Sequence, residues 1–178
     1  MGQFDLGILI ENVVLQFNRN RTGRKPAVLT MFPQDLSPIP WPDQGLEAFL
    51  KRFVYDVLLM SNPETMVCFA AAPRSMLKGF ETETGSFCWI QLTVRCEGPR
   101  NLENFVRERL GELGYACRSR IETGTPGTRL STSKSPYKRG PKLVLHIDNS
   151  NAESDYHLLI PVQEKPKLDT SRNVLGYS

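Results

Sequence analysis

One apolar stripe constrains this 178-residue chain more than any other feature. Leu46, Phe49, Leu50, Phe53, Val54, Val57 and Leu58 recur at helical spacing, which predicts an amphipathic helix with a single face to bury. Asn62-Pro63 ends it. Ahead of the stripe runs Ala27-Val28-Leu29-Thr30-Met31-Phe32, stopped by Pro33; after it comes Met66 to Ala72, stopped by Pro73. Nearly unbroken apolar runs of this length read as buried strands of the kind found in parallel sheets. The intervening LSPIPWPDQ, residues 36–44, holds three prolines and reads as an exposed loop.

Around this centre the chain divides into further short elements. Phe4 to Phe17 predicts a helix starting near Asp5, followed by a basic turn from Arg19 to Lys25. Residues 74–85 read as a polar loop, and Ser86 as the N-cap of a helix through Phe87, Trp89, Ile90 and Val94. Asn101 can cap another helix, with Leu102, Phe105, Val106, Leu110 and Leu113 on one face and Gly114 closing it. Leu143 to Ile147 and Tyr156 to Val162 read as strands, and the last dozen residues as frayed. Helix, strand, helix, strand, helix, helix, strand implies an α/β fold with a mostly parallel sheet.

The hydrophobic share of 40% argues against a wholly disordered chain. No window approaches 18 uninterrupted apolar residues, so no membrane span is expected. Met1-Gly2-Gln3-Phe4-Asp5 has no secretory pattern, so Cys68, Cys88, Cys96 and Cys117 read as reduced thiols of a cytoplasmic protein. The net charge of +3 gives no strong expectation of nucleic-acid binding. Residues 118–142 set Arg118, Arg120, Arg129, Lys134, Lys138, Arg139 and Lys142 against the single acid Glu122, and read as a solvated basic loop.

A catalytic cysteine needs a base to form thiolate, usually a histidine. His146 and His157 both fall in predicted strands, and no cysteine sits in a nucleophile loop; the plain reading is apolar thiols and sheet histidines. No ligand spacing for zinc, no Gly-rich phosphate loop and no HExxH helix occurs, so neither metal nor cofactor is expected.

Several segments, in order, resemble the caspase family of Asp-specific cysteine peptidases. Gly2-Gln3-Phe4-Asp5-Leu6 is similar to that family's Gly-x-x-Asp-Leu, and Thr22-Gly23-Arg24-Lys25-Pro26 to the lead into its nucleophile strand. Phe69-Ala70-Ala71-Ala72-Pro73 followed by Gly85-Ser86-Phe87-Cys88-Trp89-Ile90-Gln91 resembles the start of its small subunit. The resemblance implies a caspase–hemoglobinase-type α/β sheet with helices on both faces and its N-terminal strands missing. It divides the chain into a large-subunit remnant (1–44), a linker with an amphipathic helix (45–63), a small-subunit-like part (64–148) and a C-terminal tail (149–178).

The departures imply loss of peptidase activity. Gln34 stands where the family's nucleophile would fall, and the family's base histidine, about fifty residues further upstream, has no counterpart. Losing both costs on the order of a million-fold in rate. At the position of the family's substrate-binding arginine stands Gly79, with Lys78 beside it as a weak point-charge substitute. The resemblance thus implies an inactive pseudo-peptidase that modulates apoptosis or other caspases by subunit pairing, as a homodimer or with caspase-like chains. Two alternatives stay open: a small α/β binding module whose basic loop meets an acidic partner, and a cysteine peptidase by descent, active in a longer form.

Overall fold

The computed structural model describes residues 2–36, 38–41, 44–74, 87–97, 104, 107–108, 111–112, 117–121, 128–132, 144–148 and 154–163. A short strand, β1 (Gly2–Phe4), leads into helix α1 (Leu6–Asn20). Asp5 caps that helix in an extended conformation, its Oδ1 accepting the Ile8 amide at 2.9 Å. At the other end the Arg21 amide donates to the Phe17 carbonyl at 3.1 Å before the chain turns extended. Asp5→Ala should lower stability by about 1 kcal/mol, since it orphans that amide. Urea unfolding checks this, and an unchanged midpoint would count against the cap.

Gly23, at φ 97°, makes the turn into β2 (Ala27–Met31). Next come β3 (Ile39–Trp41), helix α2 (Gln44–Met60) and β4 (Met66–Arg74). The remaining strands are β5 (Phe87–Cys96), β6 (Cys117–Ile121), β7 (Thr128–Thr132), β8 (Val144–Asp148) and β9 (Ser154–Gln163). β1 and β3 pair as a small antiparallel ribbon; the other seven strands form one sheet in the order β2-β4-β5-β9-β8-β7-β6.

The predicted stripe on α2 is buried in full: Leu46, Phe49, Leu50, Phe53, Val54, Val57 and Leu58 are each at most 3% exposed. Each such side chain contributes about 1.5–3 kcal/mol on burial, against at most about 0.7 kcal/mol per residue from helix propensity. Tertiary burial therefore holds this helix. Its face joins Leu6, Ile10, Val13 and Phe17 of α1, with Val67, Phe69, Leu92, Val94, Leu158 and Ile160 of the sheet, in one core. Ser61 closes the helix, its buried hydroxyl donating to the Val57 carbonyl at 2.6 Å.

Several sequence expectations need correction. β2 and β4 are parallel, with α2 as their crossover, but every other described ladder is antiparallel, so the sheet is not mostly parallel. Residues 87–94 do not form a helix. They belong to β5, where buried Ile90, Leu92, Val94 and Cys96 alternate with half-buried Gln91 and Thr93 and exposed Arg95. The basic segment 118–142 is not simply a loop, because β6 and β7 run through it. Of the helix expected over 101–113, residues 104, 107–108 and 111–112 are described and are helical.

α1 and α2 do not cover both faces of the sheet. α1 and α2 share one core, while on β2 and β4 Leu29, Met31 and Met66 stand exposed on the opposite face. β9, which falls within residues 149–178, lies in the interior of the sheet between β5 and β8. No helix among the described residues is long and apolar enough to cross a membrane.

Candidate functional site

Besides its buried stripe, α2 carries a second one, with Ala48, Lys51, Arg52 and Tyr55 at i, i+3, i+4 and i+7. On α1, Val13, Gln16 and Asn20 recur at i, i+3 and i+7. Where the helices lie side by side these two rows line an open cleft of about 470 Å³. Tyr55 forms part of its wall, its ring edge-on to Phe17 with centroids 5.5 Å apart. The Arg21 guanidinium sits 5.5 Å from the same Phe17 ring and reaches the Leu59 carbonyl at 3.4 Å, tying the end of α1 to α2.

Both cations of the cleft are balanced on their own helix. Lys51 Nζ lies 2.7 Å from Glu47 Oε1, and Arg52 Nε donates to Asp56 Oδ2 at 2.8 Å. The second pair is lopsided: the Asp56 side chain is 5% exposed and that of Arg52 56%. A buried carboxylate is thus capped by a partly solvated guanidinium. The cleft accordingly offers an aromatic wall, two amide side chains and near-neutral ion pairs.

A second polar cluster lies on the sheet, across the β5–β9 ladder. His157 Nδ1 sits 3.0 Å from Thr93 Oγ1 and 3.1 Å from Gln91 Nε2, which also donates to Thr93 Oγ1 at 3.1 Å. An amide nitrogen only donates, so in this arrangement His157 Nδ1 accepts from Gln91 Nε2. Further along the same ladder, Arg95 grips its register partner Asp155 through Nε at 2.7 Å and Nη2 at 2.8 Å, a bidentate pair. His146 of β8 is the register partner of His157, so the two histidines of the chain occupy opposite positions on adjacent strands.

The residues singled out in the sequence fare differently. Gln34 sits exposed in the turn after β2, in neither cluster; Lys78 lies outside the described residues. Cys68 is half-buried on β4 and Cys96 buried at the end of β5, both as free thiols. Among the described residues no three His, Cys, Asp or Glu side chains group as metal ligands would. Sequence reasoning missed Lys51, Arg52 and Tyr55. The available signal was charge spacing: Glu47/Lys51 and Arg52/Asp56 are both i, i+4 pairs.

No family model matches the chain, and no curated protein does. Solved structures do. The catalytic domain of histidine kinase ThkA, in a nucleotide-free orthorhombic form with isopropanol, matches at a TM-score of 0.51 and 9% identity, covering 92% of this chain and 98% of that one. A second nucleotide-free form of that domain, with 1,2-propanediol, matches at 0.50 and 10% identity over the same shares. At such identities the likeness establishes architecture alone: a mixed α/β fold similar to a histidine kinase catalytic domain. It overturns the caspase resemblance and, with it, the readings as a pseudo-peptidase, as a peptidase by descent and as an apoptotic modulator. The short motifs that suggested them sit in a different framework, since Phe87 to Gln91 opens a strand here.

Proposed function

We propose that the chain is a binding domain on the histidine kinase catalytic architecture that does not itself transfer phosphoryl groups. The Arg52–Asp56 pair carries this reading. Phosphoryl transfer from a nucleoside triphosphate uses protein oxygens free to hold magnesium ions that bridge the phosphates. Asp56 is the buried carboxylate among the described residues, and it is engaged by a guanidinium whose charge repels an approaching dication. Glu47, on the same helix, is likewise held by Lys51.

A second reading, nucleotide binding in the α1–α2 cleft, draws support from the fold and from Tyr55 beside Lys51 and Arg52. Calorimetric titration with ATP, with and without magnesium, run beside an assay for ADP release, separates the two. The first reading expects no magnesium-dependent heat and ADP at the level of buffer alone. Binding without turnover, lost in Tyr55→Ala, would favour the second. Magnesium-dependent turnover that disappears in Asp56→Asn would overturn the first.

A further inference from the structure

We propose that the open edge of β2 joins a second copy of this chain, running the sheet across a two-fold axis at Leu29. This goes beyond the functional reading above and does not depend on it. β2 is the end strand of the sheet, and among the described residues no strand pairs with its outer edge. It carries no charged residue that would block pairing.

The ladder to β4 determines which backbone groups face outward. The Ala27 amide donates to the Thr65 carbonyl at 3.2 Å, so Ala27 turns its amide and carbonyl toward β4. By alternation Leu29 and Met31 do the same, leaving the backbone groups of Val28 and Thr30 directed to the open side. Those two positions are self-complementary. In an antiparallel pair centred on Leu29, Val28 of each copy exchanges both hydrogen bonds with Thr30 of the other. Leu29 then faces its own equivalent in a non-hydrogen-bonded pair, where side chains approach most closely.

Two more features favour a second copy as the occupant. Leu29, Met31 and Met66 are 41%, 51% and 55% exposed on one face of this edge, and a matching edge would lay an identical apolar patch beside them. The flanking charges also complement under this symmetry. Lys25 precedes the strand and Asp35 follows it, while Arg24 is balanced by Glu64 of its own chain at 2.7 Å, so antiparallel pairing brings Lys25 of each copy toward Asp35 of the other. Such an isologous contact closes on itself as a dimer.

The test is solution mass by light scattering on the full chain over a concentration series, for the native protein, Leu29→Lys and Val28→Pro. Leu29→Lys sets two ammonium groups against each other across the axis, and its site is already solvent-exposed. Val28→Pro removes an outward amide while keeping the ladder to β4. The native chain is expected at twice the monomer mass, and each variant at half the native value with a cooperative thermal melt retained. A native chain that stays monomeric at its highest soluble concentration would overturn the proposal. So would a dimer that persists in Leu29→Lys.

Discussion

A chain stopped after Asp148 is expected to lose cooperative unfolding altogether. The segment removed contains β9, which is hydrogen-bonded to β5 on one side and β8 on the other. Tyr156, Leu158, Ile160 and Val162 would go with it, all within the core. At about 1.5–3 kcal/mol per buried apolar side chain, their loss is of the same order as the whole stability of a typical domain, about 5–15 kcal/mol. The damage would extend past the missing residues. β5 would expose a full row of unpaired amides, and β6, β7 and β8 would have no remaining ladder to β5. Circular dichroism on heating gives the readout, with dye binding to exposed apolar surface beside it. A sigmoidal melt near the native midpoint would show that β9 is dispensable.

Phe53→Ala should be the most damaging single substitution on α2, at about 3–5 kcal/mol. Phe53 is 1% exposed and stacks on Phe49 with ring centroids 5.8 Å apart, so truncation leaves a cavity in the core beneath the helix. Leu59 on the same helix is 46% exposed and is the natural control; Leu59→Ala should change stability by no more than about 0.5 kcal/mol. Urea denaturation of both variants reads the difference directly. Equal midpoints would mean that the stripe is not what anchors the helix.

The contrast between Phe53 and Leu59 is legible in the amino-acid sequence alone, and so are the runs at 27–32 and 66–72. A helix buried on one side and strands with nearly continuous apolar character leave strong signals in residue order. β5 shows how such a signal is overridden. Its two-residue alternation is present, with Ile90, Leu92, Val94 and Cys96 set against Gln91, Thr93 and Arg95. An apparent cap at Ser86, and a motif that opens a helix in caspases, nevertheless outweigh it and point to the wrong element. β6 and β7 are harder, because Arg, Ser and Thr dominate Cys117–Ile121 and Thr128–Thr132 and resemble solvated loop. The cleft is hidden for a different reason. It exists only where α1 meets α2, and the flanking stripe of α2 has no meaning until the neighbouring helix is placed.

The position of β9 has a consequence for how the chain is made. Arg95 and Asp155, which grip each other across β5 and β9, are 60 positions apart. During synthesis β2, α2, β4 and β5 therefore emerge and can associate well before the strand that belongs beside β5. For that interval the nascent sheet presents an unsatisfied inner edge, lined by Ile90, Leu92 and Val94, that is sealed only when residues 154–163 clear the ribosome. Loop closure over such a distance is slow. An extended segment of another chain that reached this edge first would compete with β9 for the same backbone hydrogen bonds.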